Sequence, residues 1–241
     1  MTHRFRLLGA GIALLFVTAC GIVPDFPEPI PDYVPALPEA EPAHGSLTKY
    51  GFSEAQRIAV RVRNISCTDV IRGTGFAIDD RTLVTNKHVV EGTNKLQLST
   101  YDGRDVDVTS SATAGIADLA IVRTTEDLET FPTIAEDDPE IGDLISIVGF
   151  PKGGELTVSQ GMVLQYTEDP LNENLGKVIL TDATVEPGSS GSAALDEEGR
   201  VIGVVYAKSN SGYTYIIPVS MLTGLLDDEA SFVPQTESTC S

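Results

Sequence analysis

The feature that most constrains this chain is a series of short runs in which apolar and polar residues alternate. Six runs come first and five follow: IAVRVR, TGFAI, TLVTN, KLQLST, DVDVTS and LAIVR, then DLISIVGF, ELTVSQGMVLQY, KVILTDATV, RVIGVVYA and YTYIIPV. A period of two is typical of strands with one buried face, and glycine, aspartate or proline separates the runs. Because no strand–helix–strand rhythm is present, the pattern predicts an all-β sandwich or barrel pair, with one longer helix in VSMLTGLLDDEAS.

Residues 1–19 have the composition of an export signal. A basic start is followed by 14 apolar or small residues that end at Cys20, too few to span a bilayer as a helix. The ending VTAC resembles the lipobox of bacterial lipoprotein precursors, and this resemblance implies that Cys20 is lipidated and becomes the mature N-terminus. The alternative is an ordinary secretory signal cleaved near Ala19. Both interpretations imply export.

Residues 20–47 form the next segment, a proline-rich acidic spacer. Positions 21–45 contain seven prolines and five acids among 25 residues, a composition that does not pack a core. The composition favours a semi-extended linker that holds the folded region away from a membrane. A polyproline motif that binds a partner is the alternative.

The charge of the chain argues against nucleic acid as a partner. The formal net charge is −19, and loss of two arginines with the signal leaves 14 basic and 35 acidic residues, or −21. Such a chain repels a phosphate backbone. The absence of tryptophan and the 6% aromatic content also argue against stacking on single strands. A hydrophobic content of 41% is enough for a core, so the charge is interpreted as a source of solubility.

The stretch VEPGSSGSAAL places three serines beside two glycines. Ser189, Ser190 and Ser192 are candidates for a nucleophile, but a serine needs a neighbouring base to react. A flexible turn of small residues is the alternative interpretation. The base therefore has to come from elsewhere in the chain.

The three histidines limit the possible mechanisms. His3 belongs to the signal and His44 to the spacer, so His88 alone lies in the strand region. This excludes a zinc site built from several histidines. It also argues against an α/β-hydrolase, in which the histidine follows the serine, because no histidine follows Ser190. The order His–Asp–Ser, used on double β-barrels, remains open, and a structural histidine is the alternative.

Three sequence blocks then point to a family. TGFAI…LVTNKHVV, GIADLAIV and EPGSSGSA occur in order, with 30 residues from His88 to Asp118 and 72 from Asp118 to Ser190. They resemble the signature blocks of chymotrypsin-fold bacterial serine proteases, and most of all the trypsin-like group that includes the HtrA/Deg proteins, here without a PDZ domain. The resemblance implies two six-stranded antiparallel Greek-key barrels with a short C-terminal helix.

The resemblance also implies a catalytic triad. His88 matches the general base, Asp118 the acid that orients the base, and Ser190 the nucleophile. The oxyanion hole is expected from the backbone of Gly188, Ser189 and Ser190. For Asp118 the alternative interpretation is a turn aspartate before a strand, which is a common role.

A specificity pocket is expected beside the nucleophile. By resemblance, its walls come from residues before the nucleophile and from the strand after it, namely Thr184, Val205, Tyr206, Ala207 and Tyr213. No acid stands where a trypsin-like enzyme holds one for arginine or lysine. The expected preference is for small or medium apolar side chains.

The cysteines allow one disulfide. If Cys20 carries lipid, Cys67 and Cys240 remain, separated by 173 positions, and export permits them to pair. Such a bond would tie the C-terminal tail to the first strand region. Two free thiols are the alternative.

The sequence thus predicts four segments: a lipoprotein signal peptide at 1–19, a spacer at 20–47, a trypsin-like peptidase domain at 48–228 and a tail at 229–241. The expected function is that of an exported, lipid-anchored serine endopeptidase that acts on proteins or peptides without a metal or organic cofactor. One alternative is a catalytically silent lipoprotein that binds or scaffolds. The other is an enzyme that cuts only its own spacer.

Overall fold

The computed structural model describes residues 51–171, 176–236 and 238–239. The predicted signal peptide at 1–19 and the spacer at 20–47, with Cys20, lie outside the described residues. The strands in chain order are β1 (Ala59–Ile65), β2 (Val70–Ala77), β3 (Thr82–Thr85), β4 (Lys95–Thr100), β5 (Asp105–Val106), β6 (Val108–Ala114), β7 (Ala120–Thr124), β8 (Leu144–Gly149), β9 (Thr157–Glu168), β10 (Lys177–Thr181), β11 (Ala193–Leu195), β12 (Val201–Lys208), β13 (Thr214–Pro218) and β14 (Phe232–Pro234). The helices are α1 (Glu54–Arg57), α2 (Lys87–Val90) and α3 (Val219–Leu226), with 3₁₀ turns at Pro151–Gly153 and Glu229–Ser231.

These strands form two antiparallel sheets. The first has the order β14-β6-β7-β3-β2-β1-β4-β5, and the second closes into a barrel in the order β10-β13-β12-β11-β8-β9. The predicted all-β class with two barrel-like sheets is confirmed. The barrel has the six strands expected, whereas the first sheet has eight, because the short strands β5 and β14 extend its two edges.

Alternation in the sequence becomes alternation in burial. In β1, Val60 and Val62 are buried. Arg63, which lies between the buried Val62 and Asn64, is exposed. Successive side chains of a strand point to opposite faces, so the valines enter the core and the arginine meets solvent.

Apolar side chains pack in three clusters. One belongs to the first sheet and α2, and a second belongs to the interior of the barrel. The third contains residues of both sheets and packs them against each other. Its fully buried members include Phe76, Leu119, Phe150, Leu195 and Leu222. The two halves therefore share one core, and this core fixes the loops that meet between them.

The C-terminal part is more ordered than the sequence predicts. The expected helix over 219–231 ends at Leu226, and Leu222 and Leu225 bury its apolar side. The chain then adds β14 to the first sheet, where Phe232 pairs with Ala114 of β6. Part of the predicted tail therefore packs as a strand. Within the described ranges, none of the helices has both the length and the hydrophobicity needed to cross a bilayer.

The end of the tail lies beside the first sheet. Ser238 N–H donates to Thr93 O at 2.7 Å, and Asn94 Nδ2 donates to Ser238 O at 2.7 Å. Asn94 N–H in turn donates to Ile65 O, at the end of β1. The exposed turn that holds Cys67 begins directly after this strand. Its pairing with Cys240 stays a prediction, because Cys240 lies outside the described residues.

Replacing Phe232 tests whether β14 is part of the fold. Phe232 is 8% exposed and belongs to the shared core, so we expect Phe232→Ala to lower the free energy of unfolding by about 3 kcal/mol. The measurement is urea unfolding of the mature protein. Val233→Ala is the matched control, because Val233 is 57% exposed, and we expect a change below about 0.5 kcal/mol. Equal costs for the two variants would contradict the packing of β14.

Candidate active site

His88 stands on a short helix that the core holds in place. Strand β3 leads into α2, whose Val89 and Val90 are both 0% exposed. These two valines fix the helical turn from its apolar side. The side chain of His88 remains 46% exposed, so it is accessible from solvent while its backbone is immobilised.

Asp118 holds His88 at two points. It lies just before β7 and is 3% exposed. The His88 ring donates from Nδ1 to Asp118 Oδ2 at 2.6 Å, and His88 N–H donates to Asp118 Oδ1 at 2.9 Å. Asn86 Nδ2 also donates to Asp118 O at 2.7 Å. A carboxylate only accepts, so this contact places the ring proton on Nδ1 and leaves Nε2 as the acceptor.

The loop 186–192 carries Ser190 between two glycines that need unusual backbone conformations. Gly188 has φ of 99° and Gly191 has φ of 85°, both in the region that side chains disfavour. A Cβ on Gly188 would lie 2.6 Å from Lys152 N, and one on Gly191 would lie 2.0 Å from Thr74 O. Only glycine fits either position, so these residues set the path of the loop past Ser190.

Thr74 ties this loop to the first sheet. Its N–H donates to Ser190 O at 2.8 Å, and its hydroxyl donates to Gly188 O at 2.9 Å. The same hydroxyl accepts from Phe150 N–H at 2.9 Å, and Thr85 Oγ1 donates to Thr74 O at 2.6 Å. Thr74 is 0% exposed, so these bonds are shielded from water. Sequence analysis missed Thr74, although it lies inside the first signature block.

The orientation of the 187–188 peptide is also fixed. Lys152 N–H donates to Pro187 O at 2.5 Å, which holds this carbonyl on the 3₁₀ turn. The N–H of a trans peptide points opposite to its carbonyl, so Gly188 N–H is directed away from that turn. In the described part of the chain, neither Gly188 N–H nor Ser190 N–H has an acceptor. Ser189 differs, because its N–H donates to Glu186 O at 3.0 Å.

The three predicted oxyanion residues therefore divide. Gly188 and Ser190 each offer an N–H group to a ligand, whereas the N–H of Ser189 is used inside the loop. Ser192, the third serine of the stretch, is buried, and its Oγ has no hydrogen-bond partner among the described residues. Ser190 is the least buried of the three serines.

A pocket of about 210 Å³ opens beside Ser190. Its walls are formed by Val185, Glu186, Pro187, Ser190, Val205, Tyr206, Ala207 and Lys208. Three of the five predicted pocket residues, Val205, Tyr206 and Ala207, are thus beside Ser190. Lys208 lies at the end of the strand segment from which the wall was expected, although it was not named as a pocket residue. Sequence analysis missed Glu186, which lies two residues after Thr184.

Thr184 and Tyr213 do not line this pocket. Burial alternates from Thr181 to Val185, so Thr184 is exposed on the face opposite Val185. Tyr213 lies in the turn after β12, where its N–H donates to Ser209 Oγ at 3.0 Å, and its side chain is 42% exposed. Both residues point away because the extended segment and the turn direct them to solvent.

Tyr206 forms a rigid wall of the pocket. It is 3% exposed, and its hydroxyl donates to Asp169 Oδ1 at 2.7 Å. Burial, together with this carboxylate, raises the pKa of Tyr206 far above its ordinary value. The phenol therefore stays a neutral donor, and its ring packs in the core that the two sheets share. A larger cavity of about 560 Å³ is lined mainly by carboxylates and includes none of the three proposed triad residues.

Comparison with known proteins identifies the family. A model of the trypsin-like peptidase domain matches residues 73–204, more than half of the 241 residues. The chain therefore belongs to the trypsin-like peptidase family. The matched range contains His88, Asp118 and Ser190.

Curated relatives are bacterial proteases. A DegP-like protein of Chlamydia pneumoniae, named a probable periplasmic serine endoprotease, is 32% identical over 167 residues, which are 66% of this chain and 34% of that protein. The serine endoprotease DegS of Escherichia coli is 28% identical over 204 residues, 80% of this chain and 56% of that protein. The chain thus spans between a third and somewhat over half of the length of these relatives.

Solved structures support the fold. The active form of the Rv3671c protease from M. tuberculosis superposes with a TM-score of 0.67 at 23% identity, covering 77% of this chain and 86% of that one. The HtrA-type protease AlgW with a tripeptide gives a TM-score of 0.66 at 24% identity, covering 72% and 60%. At these identities the likeness shows a shared fold.

Replacing Thr74 tests the bond between the loop and the first sheet. Thr74→Val keeps the shape but leaves Phe150 N–H and Gly188 O buried without this partner, so we expect a loss of about 2 kcal/mol in the free energy of unfolding. Thr74→Ser keeps the hydroxyl and is expected to lose about 1 kcal/mol or less. Urea unfolding measures both. The control is Thr109→Val, at an exposed threonine; an equal cost there would contradict the role given to Thr74.

Proposed function

We propose that the chain is an exported, lipid-anchored serine endopeptidase that cleaves proteins or peptides through His88, Asp118 and Ser190. The observation that carries the proposal is the 2.6 Å bond from His88 Nδ1 to Asp118 Oδ2. It leaves Nε2 of an accessible histidine as a base. Membership of the trypsin-like peptidase family and the named activities of the relatives support the same reaction.

In the first chemical step, Ser190 Oγ attacks the carbonyl carbon of the scissile peptide. A serine hydroxyl is a weak nucleophile, so His88 Nε2 removes its proton as the new bond forms. Asp118 keeps the ring in the required tautomer and stabilises the imidazolium that results. The second bond, from His88 N–H to Asp118 Oδ1, holds the carboxylate in a fixed position beside the ring.

The negative charge that develops on the substrate oxygen is received by two N–H groups. Gly188 and Ser190 are the donors, and Ser189 is left out because its N–H is already bound within the loop. Such donors act most strongly when they are fixed before the reaction, and losing one costs about 10²- to 10³-fold in rate. The bond from Lys152 N–H to Pro187 O supplies this fixation for Gly188.

Collapse of the tetrahedral intermediate breaks the peptide bond. His88 returns the proton to the departing amine, and an acyl-enzyme on Ser190 remains. Water, deprotonated by the same histidine, then attacks the ester. The bond between the carbonyl carbon and Ser190 Oγ then breaks, the carboxylic acid product leaves, and His88 returns the proton to Ser190 Oγ.

The walls of the pocket support a small or medium apolar side chain on the acyl side. Val185, Val205 and Ala207 offer apolar surface to the pocket. A volume of about 210 Å³ suits a side chain of modest size. The same preference is predicted from the sequence, although Thr184 and Tyr213, which were also assigned to the pocket, do not line it.

The proposed location of the chain, at the extracytoplasmic side of a membrane, is based on its N-terminal segments. Lipidation of Cys20 would anchor the chain on the extracytoplasmic side, and two acyl chains give stable attachment where one is marginal. The spacer at 20–47 would let the peptidase domain reach substrates beyond the membrane surface. The relatives include a protein named as periplasmic, which is compatible with export.

Modification by a fluorophosphonate tests the nucleophile. We expect the folded protein to be labelled once, and peptide mapping to place the label on Ser190. Ser190→Ala is expected to lose labelling and at least about 10³-fold of the peptidase rate, because the other triad members cannot replace a missing nucleophile. Ser189→Ala is the matched control and is expected to be labelled. Labelling that survives in Ser190→Ala, or folded protein that never reacts, would contradict the proposal.

Metabolic labelling with palmitate tests the anchor. We expect the wild-type protein to carry the label and to sediment with membranes, because acyl chains contribute about 0.8 kcal/mol for each buried CH₂. Cys20→Ser is expected to lose the label and to appear in the soluble extracytoplasmic fraction. Wild-type protein that is unlabelled and soluble would instead support cleavage near Ala19.

A further inference from the structure

Charged side chains surround the open side of the pocket next to Ser190. Glu186 and Lys208 both line it, with Lys208 Nζ 3.8 Å from Glu186 Oε1. Lys152 approaches from the 3₁₀ turn, with Nζ 3.9 Å from Glu186 Oε2. One carboxylate therefore lies between two ammonium groups, so these three side chains carry a net charge of +1.

These ion pairs are weak enough to be exchanged. Both distances exceed that of a hydrogen bond, and the side chains of Glu186 and Lys152 are 46% and 74% exposed. Pairs of this kind contribute about 0–1 kcal/mol. A carboxylate from a bound peptide can therefore take up a position beside Lys208 without breaking a strong interaction. Glu186 keeps both lysines near the pocket, but its single carboxylate does not balance the charge of two ammonium groups.

The mouth of the pocket, formed by Lys152, Glu186 and Lys208, is a local exception in an acidic protein. The chain has a formal net charge of −19. Charges beyond a Debye length of about 8 Å are largely screened at physiological salt, so groups that touch the substrate decide its local preference. Selection by these lysines therefore operates at the last step of docking, after the peptide has reached the site.

The inner walls place limits on where such a carboxylate can sit. Val205 and Tyr206 are nearly fully buried, and an ionised group against them would lose its hydration. Lys208 is 33% exposed and lies on the solvent side of the pocket. An acidic side chain is therefore favourable at the mouth and unfavourable at the inner end.

Resting on the proposed peptidase function, we infer that the substrates are peptides with a small apolar residue in the pocket and an aspartate or glutamate directly flanking it. Lys208 is the specificity-determining residue, with Lys152 in support. Glu186 is an internal competitor, which occupies the lysines until an acidic substrate arrives. The substrate class is thus acidic peptide segments cut beside small apolar residues.

Matched quenched peptides test this inference on the mature protein. Each pair keeps valine in the pocket position and carries aspartate or asparagine at one flanking position. We expect aspartate to raise kcat/KM about five- to tenfold over asparagine at one flanking position or more, and the ratio to shrink as salt is raised. Lys208→Gln is expected to bring the ratio close to one, while asparagine peptides are still cut.

Two further variants test the direction in which each charge changes the preference for aspartate. Glu186→Gln removes the competitor and is expected to increase the preference for aspartate, opposite to Lys208→Gln. Lys95→Gln, at an exposed lysine of β4, is the control and is expected to leave the ratio unchanged. An aspartate preference that is absent, or that is the same in all variants, overturns the inference while neutral peptides are still cleaved. Loss of all cleavage and of Ser190 labelling would instead count against the peptidase function itself.

Discussion

The site depends on one contact, the docking of the loop 186–192 on Thr74. His88 on α2 and Asp118 before β7 lie next to strands of the first sheet, whereas Ser190 comes from the loop that precedes β11 of the barrel. Neither sheet holds all three groups. Thr74 makes bonds to both sides, since its backbone and hydroxyl hold the loop and its carbonyl receives Thr85 of β3. The shared core behind it supplies the rigidity, because packed interiors transmit displacement rather than absorb it.

The residues of the proposed site differ in how deeply they are buried, and the difference fits the proposed acyl transfer. Asp118 is 3% exposed and is fixed by two bonds from His88, so its carboxylate has little freedom. The His88 side chain is about half exposed, which leaves its other nitrogen accessible to a substrate. Gly188 and Ser190 present their N–H groups because the loop uses neighbouring groups for its own bonds. The proposed acyl transfer requires an immobile acid, an accessible base and preset donors, which is the role proposed for these residues.

Sequence patterning predicted the all-β fold, and the resemblance of the signature blocks predicted that His88 and Asp118 pair, a contact that the structure contains. Alternating runs predict strands because burial repeats every second residue, and the signature blocks assign both residues by resemblance. Two strands were missed: β11, which is only three residues long, and β14, whose pairing depends on β6 more than 100 residues away. Such short strands carry too few residues for a periodic signal.

The parts of the site that could not be predicted depend on which way a side chain points and on contacts between distant segments. Thr184 and Val185 are adjacent in sequence, yet only Val185 lines the pocket, because the extended segment alternates. Thr74 and the 3₁₀ turn at Pro151–Gly153 act through contacts with a loop 35 to 116 residues away in sequence. The pairing of Lys208 with Glu186 likewise follows from the folded strands. These contacts appear only when distant segments meet.

A crystal structure of the protein with a covalent peptide phosphonate tests the central claim most directly. The account predicts a bond from phosphorus to Ser190 Oγ, with the phosphonyl oxygen about 2.7–3.1 Å from both Gly188 N and Ser190 N. Pro187 O would still accept from Lys152 N–H. An adduct on another residue, or an oxygen that lies away from these two N–H groups, would contradict the account.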